Sequence, residues 1–365
     1  MRLARLMAIS MTVPDSLSLT DAMTTRFFLS SILLALACAN ARADDWPYEA
    51  ECRKFANIAI PKDDIGTAPA KCDSNVLYYG SDGSGKSTDF RAARACAYRE
   101  RAEKFDGQFG GAAILMMVYA NGLGVPRNVL LAKRFACEVE GAPAEVEGRL
   151  QSLDGIARGL ARKNPFDLCD DVTSGLMMGF CSDHSASFDR AKRQRRYEAM
   201  QSAWTPMQRE AFSKLRKAAG AYFDASSSEE IDMSGTMRGM LSVMSSESLE
   251  TDFLAAIERF ERGVAPHPGA VALRAEDGAL NAAYRAALRE SASDGPERAS
   301  SPGSVTANGL RDTQRRWLAY REAWVDFGAA RYPSVPADAW RAWLSHERTQ
   351  RIRNPEPDME DPASH

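Results

Sequence analysis

The sequence predicts an all-α protein built of helical hairpins and a bundle. Three observations carry that expectation. From Asp89 onward, apolar residues recur at the i, i+3, i+4 spacing of amphipathic helices. Gly and Pro clusters cut this pattern into helix-length segments. No series of βαβ units supplies a parallel sheet.

The chain opens on a stretch that predicts export. Residues 27–39 are apolar and uncharged, follow Arg26, and precede Ala41-Arg42-Ala43. A basic start, a short apolar run and small residues around a cleavage point describe a secretory signal over 1–43, with Met23 as the better start than Met1. The run falls short of the roughly 20 residues a membrane span needs, and no later stretch reaches that length. Periplasmic or secreted localisation is therefore expected. A lipoprotein anchored at Cys38 is the alternative, weakened because Ala35 stands where a lipobox usually has Leu.

Loss of four basic and two acidic side chains with residues 1–43 moves the net charge from −3 to −5. A mildly acidic surface argues against general nucleic-acid or anionic-membrane binding. Six cysteines remain: Cys52, Cys72, Cys96, Cys137, Cys169 and Cys181. An even number in an exported chain predicts three disulfides. Nearest neighbours are the expected pairs, 52–72, 96–137 and 169–181. All six precede residue 182, so the C-terminal half has to hold itself together by packing.

Residues 44–90 read as loop-rich, with Pro47, Pro61, Pro69 and a Gly/Ser cluster at 80–87. Phe90, Ala93, Ala97 and Arg101 open a first helix. A second, roughly 110–120, carries Ile114, Leu115, Val118 and Tyr119. After a turn at Asn121–Pro126, a third runs from about 128 to 140. This stretch from Ala113 through Tyr119, Gly122, Gly124 and Asn128 to Ala132 resembles one Sel1-like repeat. The resemblance implies two antiparallel helices that approach closely at the glycine turn and the alanine. One copy makes a hairpin, not a solenoid.

The C-terminal region carries a second resemblance. Asp277, Leu280-Asn281, Tyr284 and Leu288 precede a Ser/Gly/Pro-rich loop at 291–309. Gln314, Trp317-Leu318, Tyr320-Arg321, Trp324, Glu347-Arg348 and Ile352 follow. From 273 to 353 this resembles the lysozyme inhibitor LprI-like domain, whose motif falls here on Asn281, Tyr284, Gln314, Trp317, Arg321, Trp324 and Arg348. The family's frequent cysteine after the Trp/Arg motif is absent; Trp324-Val325 stands there. Cys169–Thr173 with Met177, Met178 and Cys181 resembles the two-cysteine segment that opens many members. Leu215–Asp224 can be laid over Trp317–Asp326, as a degenerate second copy would require. The expected organisation is thus a disulfide-bonded Sel1-like region at 44–160, a helical region at 161–264, the LprI-like domain at 265–353 and a disordered tail at 354–365.

Gly80-Ser81-Asp82-Gly83-Ser84-Gly85-Lys86-Ser87 fits the P-loop pattern, and Val76–Tyr79 before it could be the required strand. Neither a Walker B strand nor a nucleotide supply outside the inner membrane supports a nucleotide site, and the motif lies between two disulfide cysteines. It reads as a Gly/Ser loop. His184, His267, His346 and His365 show no metal-ligand spacing, and His184 reads as part of an exposed polar turn. Glu229, Glu230 and Asp232 read as helix-capping or solvated carboxylates. Trp317, Tyr320, Trp324 and Phe327 fall on one helical face and read as core, with Arg321 beside them and Glu347 and Arg348 as its candidate partners. Trp340 and Trp343-Leu344 close the same core.

No enzyme, cofactor, metal or nucleotide is expected. The resemblances imply an envelope protein that binds another protein, lysozyme being the implied partner and inhibition the implied activity. A periplasmic Sel1-like adaptor is the alternative, and a hydrolase using the 229–232 carboxylates is a third.

Overall fold

A computed structural model describes residues 46–81, 83, 87–104, 107–266, 273–293 and 302–355. The export signal, Lys86 of the Gly/Ser loop, His267, His365 and the tail beyond Pro355 lie outside the described residues. Among those described, the chain is all-α, with thirteen helices and no strand. It divides into two units at Glu51/Cys52. In the first, the Glu49 N–H donates to the Trp46 carbonyl at 2.8 Å and starts α1 (Pro47–Phe55).

In the second unit, α2 (Lys62–Ile65) and α3 (Ser74–Tyr79) occupy sequence expected to be loop. The Asp73 side chain caps α3 by accepting from the Val76 N–H, so Val76–Tyr79 is helix and not a P-loop strand. Arg94 donates to the Asp64 carbonyl at 2.7 Å and Arg99 to the Pro69 carbonyl at 2.6 Å, tying the irregular chain to α4 (Phe90–Ala102). These guanidinium contacts give short helices the support that local propensity alone does not.

Next come α5 (Gly111–Asn121) and α6 (Val129–Ala136). Every residue from Ala113 to Ala120 is buried, because α4, α6 and the chain before α4 wrap this helix on all sides. Gly122 ends α5 in the left-handed region at φ 70, and a Cβ on Gly124 would meet the Phe90 Cβ at 2.9 Å. Only glycine accommodates both demands. Then α7 (Pro143–Ala157) packs on α6 and on a 3₁₀ turn at Leu168–Asp171.

The disulfides are Cys52–Cys137, Cys72–Cys96 and Cys169–Cys181. The expected pairs 52–72 and 96–137 are thus corrected, whereas 169–181 stands. Cys96 meets Cys72 in the chain before α3, and Cys137 at the end of α6 meets Cys52, so partners are set by three-dimensional approach and not by sequence distance.

The remaining helices are α8 (Gly175–Gln201), α9 (Pro206–Glu229), α10 (Arg238–Glu261), α11 (Leu273–Ser293), α12 (Ala307–Arg331) and α13 (Ala337–Arg353). Pro206 at the first turn and a Thr205/Gln208 capping box start α9. The α9 and α12 helices run antiparallel down the centre: the Gln208 amide reaches the Ala330 carbonyl at one end and Thr313 the Ala225 carbonyl at the other. The α8 helix packs on α10, and α11 on α13. One apolar core joins Tyr197, Phe212, Leu215, Tyr222, Phe253, Ile257 and Phe260 to Trp317, Tyr320, Trp324, Phe327 and Trp340. This core runs across the boundary expected at 264/265.

Candidate functional site

The centre of the C-terminal bundle holds a buried ion pair. On α13, Trp340, Leu344 and Arg348 recur every fourth residue, so Arg348 lies on the helix's apolar face and is 1 % exposed. Its guanidinium donates to the two carboxylate oxygens of Glu230 at 2.5 and 2.8 Å, to the Tyr222 hydroxyl at 3.2 Å and, through Nε, to Gln314 Oε1 at 3.2 Å. Ser226 Oγ donates to the same carboxylate at 2.9 Å. Glu230 is the C-cap of α9 and is buried, so it neither caps a helix N-terminus nor sits in solvent, which corrects the sequence reading; Glu229 and Asp232 are exposed. Burial pushes the Tyr222 hydroxyl's pKa up, against the opposing pull of Arg348.

Above this pair lies a groove of about 740 Å³ between α10 and α13, floored by Tyr222 and Phe223 of α9 and by Trp317 and Tyr320 of α12. Arg351 closes one end, donating to Ser245 Oγ at 2.8 Å and reaching Ser248 Oγ at 3.4 Å. At the other end the Arg259 guanidinium lies 5.0 Å from the Phe260 ring and 5.8 Å from the Trp343 ring. Arg262 and Asn354 also line it. Its size is that of a ligand pocket, and its mixture of aromatic floor and charged rim suits an amphipathic occupant.

The motif residues read from the sequence fall in three places. Gln314, Trp317, Trp324 and Arg348 belong to the core or its ion pair. Arg321 lies over the Trp317 ring at 5.2 Å and donates to Asp277 at 3.3 Å and to Glu322 at 3.1 Å. Its partners are thus Asp277 and Glu322 instead of Glu347 and Arg348; Glu347 accepts from the Trp343 indole at 3.0 Å. The Ser345 hydroxyl donates to Asp277 at 2.7 Å, so this cluster fastens α11 to α12 and α13. Asn281 is exposed and Tyr284 half-buried on α11. The local sequence marks Glu230 only as a capping or solvated carboxylate; an arginine on the apolar face of α13 is the signal that a buried carboxylate has to exist.

Two further arrangements lie in the N-terminal part of this unit. Tyr119, of the glycine turn, shares its hydroxyl with Tyr98 at 2.7 Å and with Asp64 at 3.0 Å. His184 is on helix α8 instead of a polar turn, stacked on Phe109 at 3.8 Å and edge-on to Tyr79 and Phe188. Its Nε2 is buried without a hydrogen-bond partner among the described residues. Burial lowers its pKa, against the opposing charges of Asp167 and Asp183. Among the described residues, no group of three or more His, Cys, Asp or Glu could hold a metal ion, and no helix is long and apolar enough to cross a membrane.

A family model described as lysozyme inhibitor LprI matches residues 270–353, which span α11, α12 and α13. No curated protein and no solved structure matches the chain.

Proposed function

We propose that this chain is exported and binds a protein partner in the cell envelope, acting on a lysozyme in the manner the matching family's description implies. The family match over 270–353 is the observation that carries the reading, and three disulfides fit an oxidising compartment. Charge refines it. Residues 270–353 hold 13 arginines, no lysine and 10 carboxylates, a formal +3, so the rest of a chain of net −3 carries −6. A basic lysozyme is therefore drawn to the remainder of the molecule, and the matching segment supplies shape and apolar contact instead of bulk attraction. The test is lysis of a cell-wall suspension by a common-type lysozyme, with and without the purified chain, alongside co-elution of the two. Slowed lysis together with co-elution supports the reading. Unchanged lysis at a large excess of the chain sinks it.

The Sel1-like adaptor is the second reading, favoured by the α5–α6 hairpin alone. Its support is the left-handed Gly122, the close approach at Gly124 and the fully buried Ala132. We also read 161–264 as a degenerate copy of the C-terminal domain. In both halves the first helix packs on the third, and the two middle helices, α9 and α12, pack on each other.

A further inference from the structure

We propose that Met178, Met237, Met240 and Met244, where α8 and α10 begin, form a thioether site for a soft monovalent cation, Cu(I). Sulfur is concentrated there, outside the His, Cys, Asp and Glu ligand set. Met233, Met237, Met240 and Met244 place four of the chain's 15 methionines within twelve residues, and Met177-Met178 lies near the start of the helix packed against them. The central core is built largely of aromatic rings, so its packing does not call for that density. Met177 is buried, whereas the four proposed ligands are half-buried and so open to an entering ion. Thioethers are neutral, polarizable and soft, which selects Cu(I) over Zn(II) or Ca(II). They carry no proton at working pH, unlike histidine or thiol ligands, which bind metal only when deprotonated. Six cysteines are held in disulfides and supply no competing thiolate.

Helix geometry brings the four positions together. The two helices run side by side in the same direction. A Cβ on Gly179 would lie 3.4 Å from the Gly239 Cα, and further along both helices Arg193 donates to Glu247 and Arg196 to Glu258, each at 2.6 Å. Met178 precedes Arg196, and Met240 precedes Glu258, by the same 18 residues, five turns at ~3.6 residues each. Met178 and Met240 therefore lie on the side of the seam where Arg196 and Glu258 meet, level with the glycine approach. Met237 and Met244 stand three residues before and four after Met240, on the same face of α10. Backbones this close let long, flexible side chains from both helices share one ion. Arg238, the cation nearest in sequence, is held by the Gly235 carbonyl at 3.3 Å.

Ag(I), a redox-stable probe of the same softness, tests this on the full chain carrying Cys38→Ser. Calorimetry should find a single ion bound per chain with micromolar Kd, unchanged from pH 7.5 to 5. In protein labelled with ¹³C at the methionine methyls, the resonances of Met178, Met237, Met240 and Met244 should shift, and those of Met116, Met117 and Met200 should not. Met178→Leu and Met240→Leu conserve side-chain volume and should keep the parent's melting temperature. Each should weaken binding about tenfold or more, whereas Met200→Leu should leave it unchanged. No saturable binding below millimolar Ag(I) overturns the proposal. Binding that weakens as the histidines protonate, that is equal in Met178→Leu and Met240→Leu, or that shifts every methionine methyl alike also overturns it. Neither measurement involves lysozyme.

Discussion

Arg348 and Glu230, 118 residues apart in sequence, meet as a forked ion pair in the core of the C-terminal bundle. Tyr222, Gln314 and Ser226 complete the hydrogen bonds of the pair. Segments on both sides of the expected 264/265 boundary therefore share one buried charge network. A pair buried this deeply is not in itself strongly stabilising, but removing one member leaves the other charged and dry. Arg348→Met and Glu230→Leu should each cost about 3–5 kcal/mol in urea unfolding, whereas the double variant should recover much of that loss. Single variants as stable as the parent would show that the pair does not hold the two segments together.

The disulfides give a second prediction. Cys52–Cys137 closes a sequence separation of 85 residues, Cys72–Cys96 one of 24 and Cys169–Cys181 one of 12. On the chain-entropy model, removing them as Ser pairs should cost about 4.6, 3.4 and 2.8 kcal/mol respectively. Peptide mapping under non-reducing conditions should recover these three linkages. Recovery of a 52–72 or 96–137 linkage would contradict the arrangement.

What the sequence disclosed and what it hid follow from the range of the interactions. The face of Trp317, Tyr320, Trp324 and Phe327 was readable because helical periodicity lies within a few consecutive turns, and all four are buried. The pairing of cysteines was not, since three-dimensional approach decides it. Nearest-neighbour reasoning succeeded only for Cys169–Cys181, where the 3₁₀ turn feeds directly into α8. Arg321 was read against Glu347 and Arg348, yet α11 intervenes and supplies Asp277. Glu230 illustrates the general limit. Its neighbours Glu229 and Asp232 are exposed, so local composition pointed to solvent, and only a helix arriving from over a hundred residues later buries it.

His184 gives a pH prediction. Burial among Phe109, Tyr79 and Phe188 holds its folded pKa below the ordinary 6.5, although Asp167 and Asp183 pull the other way. The unfolded chain then binds more protons than the folded one between the two values. Stability contributed by the neutral ring is complete above pH 6.5 and declines as pH falls below it. Thermal melts from pH 7.5 to 5 should show that decline, and His184→Phe should flatten it. An equal decline in the variant would assign the effect to other groups.

The last prediction separates core from contact surface on one helix. Trp324 is fully buried, stacked on Trp340 at 5.8 Å and edge-on to Phe260 at 5.7 Å and Trp343 at 5.3 Å, so its ring belongs to four helices at once: α10, α12 and α13 directly, and α9 through Phe327. Truncation to Ala leaves a cavity the surrounding rings fill only in part, at a cost of about 3–5 kcal/mol. That is much of the ~5–15 kcal/mol a domain has, so Trp324→Ala should broaden or abolish the bundle's melt. Leu318, six residues earlier, is 42 % exposed on the opposite side of α12. Its truncation should change stability by no more than about 0.5 kcal/mol. Comparing the two by calorimetry and by co-elution with lysozyme divides the helix into its two roles. Loss of co-elution in Leu318→Ala with an unchanged melt would place the partner on the outer face of α12. An unchanged melt in Trp324→Ala would instead refute the core assignment.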